Sequence, residues 1–445
     1  YATHWAIASF IGSLNYDYAS KYLLSLKMRS DGSSRLASGN RWSTFPSVSA
    51  AWRISSESFM EKTQIFLNDL KIRASWGLTG ATTGVGLYPS YSTIGFGNAA
   101  LGNQYILSAY LSGLGNTDLG WEKTSMLDFG FDARLLDNRL GVTFDYYLKN
   151  TKDILIGLPV PLEYGFGKPN VNIGELQNNG WEVELSWNDK IGEFRYGIQA
   201  NLSNNKNEVK DLGGTSPWKD GYTAEGLAMN SYYGYEALGL FQTEEEVANS
   251  PVYSRRYAKP GDVKYKDQNN DGVIDADDRV VLGDRDPHYL FGVTLNGAWK
   301  GFDFSVFLQG VGKRNYILDG PSIRPLSDQG KGPAFEHQLD YWTEDNRDAK
   351  YPRLLEATSS LGFNHMTSDF WMINAGYLRL KNLQVGYNFS NDLLKNTGFS
   401  NIRLYFSANN LFTISNFTPG YDPETLNAFT YPLSRTYSFG LNLQF

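Results

Sequence analysis

The chain closes on Arg435-Thr436-Tyr437-Ser438-Phe439-Gly440-Leu441-Asn442-Leu443-Gln444-Phe445, and no other stretch restricts the fold as tightly. Successive side chains of an extended segment point to opposite faces. Tyr437, Phe439, Leu441, Leu443 and Phe445 therefore share one face, and Thr436, Ser438, Gly440, Asn442 and Gln444 share the other. An apolar face backed by small polar residues suits a soluble antiparallel sheet as well as a membrane wall. Aromatic residues at both ends of the apolar face match the interfacial girdles of a membrane-spanning strand. On this stretch alone the closing strand of a soluble barrel stays open as an alternative.

The alternation recurs. Tyr22, Leu24, Leu26 and Met28 oppose Leu23, Ser25, Lys27 and Arg29. Leu70, Ile72, Ala74, Trp76 and Leu78 oppose Lys71, Arg73, Ser75 and Gly77. Leu140, Val142, Phe144, Tyr146 and Leu148 oppose Gly141, Thr143, Asp145, Tyr147 and Lys149. Each run is about ten residues, the length a tilted strand needs to cross a bilayer. Charges confined to one face in run after run indicate a wet lumen. From Tyr377 to Phe389 the parity flips, which predicts a bulge near Lys381-Asn382.

The fold class expected is all-β, a transmembrane antiparallel β-barrel. Strands are predicted near 5–17, 20–31, 45–55, 68–79, 121–135, 138–149, 177–189, 192–205, 287–300, 302–313, 370–389, 399–410 and 433–445. Short or medium turns alternate with long loops at 31–44, 80–120, 150–176, 206–286, 314–369 and 411–432. Short turns on one side and long loops on the other place the long loops outside the cell. The strand count is odd, whereas single-chain bacterial barrels have an even number. The wall is therefore expected to be incomplete, with its first part upstream of Tyr1.

Composition agrees with this reading. Aromatic residues make up 15% of the 445 residues, as a barrel with two girdles requires. No apolar run is long enough for a transmembrane helix, which leaves alternating strands as the way across. A net charge of -7 offers no basic patch for nucleic acid. Without cysteine, neither a disulfide framework nor a thiolate metal site can form.

One loop segment carries a metal-ligand pattern. Asp267-Gln268-Asn269-Asn270-Asp271-Gly272-Val273-Ile274-Asp275-Ala276-Asp277-Asp278 has the spacing of an EF-hand calcium loop. Asp267, Asn269 and Asp271 would supply side-chain oxygens, Val273 its carbonyl, and Asp275 a direct or water-mediated contact. Asp278 stands at the twelfth position, where an EF-hand prefers Glu. No helix pair clearly flanks the loop, and an acidic turn that binds nothing is the competing reading.

Catalytic signatures are lacking: no HExxH spacing, nucleophile elbow, Walker A loop or dinucleotide fingerprint occurs. The chain is expected not to be an enzyme. Glu182 and Glu184 are better read as lumen-lining residues of one strand than as an acid/base pair. Trp218, Tyr222, Tyr232, Tyr233 and Tyr235 are candidates for stacking on a sugar or a lid, against ordinary loop packing.

Several ordered segments resemble one family. They are Arg29-Ser30-Asp31-Gly32 with Arg41-Trp42-Ser43-Thr44-Phe45-Pro46; Asn116-Thr117-Asp118-Leu119-Gly120-Trp121-Glu122; and Asn172-Ile173-Gly174-Glu175 with Asn178-Asn179-Gly180-Trp181-Glu182. Tyr377-Leu378-Arg379-Leu380-Lys381-Asn382, Asn409-Asn410-Leu411-Phe412 and Gly420-Tyr421-Asp422-Pro423-Glu424 follow. Together they are similar to the SusC/RagA class of TonB-dependent outer-membrane transporters. Gly80-Ala81 stands where that class has Gly-Asn. The aromatic Phe445 also resembles the insertion signal of outer-membrane barrels.

The resemblance implies that residues 1–445 are the C-terminal portion, about thirteen strands, of a 22-stranded plugged barrel. The plug and N-terminal domains would lie outside this chain. It further implies import of oligosaccharides or peptides across the outer membrane of Bacteroidota-type bacteria. The implied partners are a SusD-like surface lipoprotein as lid, TonB through the missing N-terminal part, and outer-membrane lipid. A non-transporting structural or assembly component of an outer-membrane complex is the alternative, and a soluble sugar-binding β protein a third.

Overall fold

The structure, a computed structural model, describes residues 4–445 apart from 159, 162, 164, 216, 218–221, 254–257, 319–334, 355–362, 391–393, 396–397, 418–420, 427–429 and 432. Trp218 and Gly420 lie outside the described residues. The chain divides into two compact units. The first is Tyr1–Asp189, Gly197–Trp218 and Thr223–Met229; the second is Lys190–Tyr196, Lys219–Tyr222 and Asn230–Phe445.

The first unit is an antiparallel ladder in sequence order. Its strands are β1 (Ile7–Tyr18), β2 (Tyr22–Ser33), β3 (Trp42–Arg53), β4 (Leu67–Ala81), β5 (Glu122–Leu135), β6 (Leu140–Gly157), β7 (Asn170–Ile191) and β8 (Phe194–Asp211, from Gly197 onward in this unit). Register explains the two faces. Leu14, Leu26, Val48, Trp76, Leu127 and Leu148 are successive ladder partners and form one apolar row. One residue along, Asn15, Ser25, Ser49, Ser75, Asp128 and Tyr147 form a polar row on the opposite face. A slip of one residue would exchange the rows, so the register is strongly specified. Leu14, Leu26, Val48, Trp76 and Leu127 are all exposed. An apolar surface this continuous, uncovered by any second layer, is the lipid face of a barrel rather than half of a soluble sandwich.

The second unit repeats the design in β9 (His288–Trp299), β10 (Phe302–Lys313), β11 (Tyr377–Asn388), β12 (Asn401–Asn409) and β13 (Thr436–Gln444). Phe304, Val385, Phe406 and Phe439 are successive partners on one face, with Ser305, Gln384, Ser407 and Ser438 on the other. Phe307 pairs with Asn382 and Leu308 with Leu380, which leaves Lys381 as the extra residue of the expected bulge. With eight long strands in the first unit and five in the second, the expected thirteen are all found. Among the described residues β1 and β13 each pair on one side only.

Three expectations need correction. First, β6 and β7 run on to Gly157 and back from Asn170, which shortens the loop expected at 150–176. Pairing resumes beyond irregularities at Thr151 to Leu155, as in Ile154 with Gly174 and Gly157 with Asn170. Second, the strand expected at 370–389 is broken. Met372–Asn374 pairs with Asn315–Ile317 instead, and β11 starts at Tyr377. Asn374 Oδ1 accepts the N–H groups of Arg314 at 2.9 Å and Gly376 at 3.0 Å and so makes the corner. Third, the region read as loop 80–120 contains a hairpin, Thr93–Leu101 with Gln104–Gly113. Gly95 and Gly97 leave room for the Tyr110 ring to lie across the strand.

Buried apolar clusters sit on the long-loop side. In the first unit Leu36, Phe45, Val85, Leu119 and Trp121 pack together. In the second, Tyr235, Phe241, Tyr253, Val263, Tyr265 and Ile274 form one core, and Leu318, Tyr351, Trp371, Ala375 and Phe417 another.

Candidate functional site

Charges on the polar face of the first unit are matched across strands. Arg73 on β4 donates Nε to Asp132 Oδ2 on β5 at 3.0 Å and Nη2 to Asp145 Oδ2 on β6 at 3.1 Å. Lys71 Nζ lies 2.8 Å from Asp132. Arg73, Gly130 and Asp145 are successive ladder partners, so the ion pair passes directly over Gly130. A Cβ there would run into the Asp145 carboxylate and the Phe144 carbonyl. Glycine is thus what lets Arg73 reach a carboxylate two strands away. Glu182 pairs with Asp145 and Glu184 with Thr143 on this same face, which places both glutamates in the lumen wall. In the second unit Arg403 Nε donates to Asp303 at 3.0 Å, again on the polar side.

On the long-loop side of the second ladder the loops are folded into a platform with its own buried core. The region read as one loop over 206–286 starts only after β8 ends at Asp211. It contains short strands at Tyr232–Gly234, Ala237–Leu240, Val263–Tyr265 and Val280–Gly283 and a helix at Glu244–Ala248. Its anchor is Asp262, 2% exposed. Asp262 receives Arg353 Nε at 2.6 Å and Nη2 at 3.1 Å, Asn364 Nδ2 at 3.0 Å and the Lys259 N–H at 2.9 Å. Asn364 accepts the Val263 N–H at 2.8 Å, and its carbonyl accepts Trp371 Nε1 at 2.8 Å. Every oxygen of the buried carboxylate is used, the condition under which burying a charge is tolerable. The sequence reading missed this cluster, because partners about ninety residues apart leave no local pattern.

Arg379 at the head of β11 is equally buried. It donates Nη2 to Asp422 at 2.6 Å, Nη1 to Glu424 at 2.7 Å and Nε to Thr413 Oγ1 at 2.8 Å. Lys381 Nζ meets Glu424 Oε2 at 2.8 Å. Two segments singled out separately in the sequence therefore hold one another. The same is true in the first unit. Trp121 Nε1 donates to the Arg41 carbonyl at 2.9 Å, and its ring lies edge-on to Phe45 with centroids 5.5 Å apart. The Gly120 N–H donates to Asn172 Oδ1 at 2.9 Å.

The candidate stacking aromatics separate into two kinds. Tyr235 is buried against Tyr265, with its hydroxyl accepting Arg279 Nε at 3.3 Å. Tyr232 is buried beneath the Arg285 guanidinium, 4.6 Å from its centroid. Tyr222 and Tyr233 remain half-buried and stack on each other, centroids 3.9 Å apart and 9° from parallel.

In the acidic loop the side chains of Asp267, Asn269, Asp271, Asp275 and Asp278 cap local backbone. Asp267 accepts the Asn270 N–H at 2.6 Å and the Gly272 N–H at 2.9 Å. Asn269 Oδ1 accepts the Asp271 N–H at 2.9 Å, and Asp271 Oδ1 the Val273 N–H at 2.8 Å. Asp275 accepts the Asp277 N–H at 2.9 Å; Asp278, fully buried, accepts those of Gln268 and Asp275, both at 2.8 Å. Gly272 takes φ +84°, the sharp turn the sixth position requires. Among the described residues no three His, Asp or Glu side chains are gathered as a metal cluster. The donors are all oxygen and each keeps further lone pairs, so their chemistry fits a hard cation.

On the first unit the hairpin 93–113 stands out. Ala81 to Thr117 contains no charged residue. Ile94, Phe96, Leu101, Tyr105, Leu107 and Tyr110 are all exposed. Ile94, Phe96, Tyr105 and Leu107 share one face of the hairpin and Leu101 and Tyr110 the other, so both faces offer uncharged apolar surface of the kind interaction sites use.

Comparison with known proteins accords with this geometry. A family model described as "TonB dependent receptor-like, beta-barrel" matches residues 2–411. TonB-dependent receptor P39 of Formosa agariphila is 31% identical, with 100% of this chain and 47% of that protein covered. TonB-dependent receptor SusC of Bacteroides thetaiotaomicron is 30% identical, with 100% of this chain and 44% of that protein covered. The solved structure of the RagAB peptide transporter matches with a TM-score of 0.80 at 26% identity, covering 99% of this chain and 48% of the other. The chain spans about half the length of the curated relatives it matches.

Proposed function

Because the chain belongs to the SusC/RagA family of TonB-dependent receptor-like β-barrels of the bacterial outer membrane, we propose that the complete protein imports oligosaccharides or peptides. A SusD-like surface lipoprotein closes the long-loop side, and TonB acts through the part of the protein outside this chain. One observation carries the reading: an apolar outer face backed by an inner face of matched charges, Lys71 and Arg73 with Asp132 and Asp145. Such a wall encloses a wet passage, which a transporter needs. The RagAB neighbour, described as a peptide transporter, supports a peptide cargo. The exposed uncharged hairpin 93–113 supports a protein lid on the long-loop side, since desolvating it carries no charge penalty.

The test is uptake of labelled oligosaccharide or peptide by cells carrying the full-length protein, with lipoprotein recovery in mild detergent. Removing hairpin 93–113 should release the lipoprotein and lower uptake. An assembly role would instead leave the complex intact when the TonB-contacting part is deleted, with no uptake to lose.

We also propose that segment 267–278 holds a structural calcium ion. Asp267, Asn269, Asp271, Asp275 and Asp278 would supply side-chain oxygens and Val273 its carbonyl. The ion would offset their mutual repulsion and stiffen the loop.

A further inference from the structure

The β3–β4 connection is unlike the tight turns that join β1 to β2 and β5 to β6 on its side of the first unit. It runs through two 3-10 segments, Ile54–Ser56 and Ser58–Ile65. Its position is fixed by Glu57, whose carboxylate accepts Tyr22 Oη at 2.6 Å and Trp52 Nε1 at 3.1 Å and meets Lys21 Nζ at 3.2 Å. Tyr22 and Trp52 belong to the outward row Tyr22, Trp52, Ile72, Phe131, Phe144, and their rings are stacked with centroids 6.3 Å apart. Glu57 holds the polar tips of two outward aromatics and so ties the middle of the connection to the lipid face, while Ser55 Oγ, donating to Asp69 Oδ1 at 2.6 Å, ties its start to the polar face. The Phe66 carbonyl accepts the Leu136 N–H at 2.8 Å and Asn68 Oδ1 the Asn138 N–H at 3.0 Å, which tie the far end to the next turn.

So held, the segment presents Phe59 at 66% exposure, Ile65 at 86% and Phe66 at 52%. Exposed apolar side chains next to an outward aromatic girdle fit only a partner as apolar as the girdle's own surroundings. Glu61 and Lys62 are also exposed, in keeping with a segment at a polar boundary.

We infer that residues 57–66 form a foot in the membrane interface on the short-turn side, with Phe59, Ile65 and Phe66 entering the acyl layer of the phospholipid leaflet there. The occupant is lipid because the three exposed apolar side chains belong to a connection that Glu57 anchors on Tyr22 and Trp52 of the outward row, the face that meets acyl chains. The foot adds apolar contact where the wall would otherwise end, and so fixes the depth of β3 and β4. It rests on the outer-membrane location and is independent of what the protein transports.

The test uses the full-length protein in phospholipid nanodiscs with single spin labels at Ile65→Cys and Phe59→Cys, in a background without other cysteines. Phe129→Cys, on the outward face, is the lipid reference; Asp137→Cys, in the adjacent turn with its side chain 82% exposed, is the water reference. Collision rates with oxygen and with a water-soluble nickel chelate are compared, and heat-modified gel mobility shows that each variant is folded. Oxygen-to-nickel ratios at Ile65 and Phe59 should lie near the Phe129 value, several-fold above the Asp137 value. Ratios near Asp137 would overturn the inference. Shielding from both reagents would overturn it too, by showing a protein rather than a lipid over the foot.

Discussion

The guanidinium of Arg379 donates Nη2 to the Asp422 carboxylate at 2.6 Å, and that bond joins a buried barrel strand to a segment more than forty residues later in the chain. Arg379 is 2% exposed and uses its remaining nitrogens on Glu424 and Thr413. Removing it would leave the largely buried Asp422 carboxylate without its cation, while Glu424 would keep Lys381. Arg379→Gln should therefore destabilise this corner by about 3–5 kcal/mol, the usual cost of breaking a buried ion pair. Arg379→Lys should restore little, since a point charge cannot span the three acceptors. The check is thermal unfolding with limited proteolysis, which should now cut between 411 and 435.

Gly130 is the second point at which a single atom decides. An added Cβ would meet the Asp145 carboxylate beneath Arg73. Gly130→Ala should lower stability by about 1–3 kcal/mol, as overpacking does, without changing assembly into the membrane. Heat-modified gel mobility of the variant against the parent measures the shift.

The platform of the second unit should weaken in acid. Glu246 is held below the usual glutamate range chiefly by the Gln242 N–H at 2.8 Å, with Lys264 also contributing. A carboxyl whose folded value is depressed stabilises the fold above its unfolded value. That contribution fades as pH falls through the folded value. Hydrogen exchange around Glu244–Ala248 should thus quicken as pH drops below the ordinary glutamate range, after correction for intrinsic rates. Glu246→Gln should be faster than the parent at neutral pH and show a flatter response to acid.

For the calcium proposal, Asp271→Ala should lower the melting temperature of the loop region, and a chelator should lower that of the parent by a similar amount. The variant should not respond to the chelator. A parent protein indifferent to both treatments would remove the ion and leave a self-capped acidic turn.

The strands were legible because their information is local. Alternation along Leu70 to Leu78 or Tyr437 to Phe445 fixes which face meets lipid without knowledge of any partner, and the parity flip placed the bulge near Lys381-Asn382, where Lys381 is the extra residue. The platform was not legible, because its order comes from pairs such as Asp262 with Arg353, which no period links. Hairpin 93–113 was read as loop because glycines interrupt its pattern. Those glycines are there to accept the Tyr110 ring. Between stacking and ordinary loop packing, the two readings the sequence allowed, Tyr232 and Tyr235 prove to be packing, since both are buried. Among the described candidates, Tyr222 and Tyr233 are the two that stay half-exposed.

The account depends on β5 standing between lipid and water, and the chain has no cysteine of its own to confuse a labelling scan. Single cysteines at Met126, Leu127, Asp128, Phe129, Gly130, Phe131 and Asp132 in the assembled protein would be treated with a water-soluble thiol reagent. Reaction at 126, 128, 130 and 132, with protection at 127, 129 and 131, is the predicted result. Uniform reaction along the strand, or protection of the even positions instead, would contradict it.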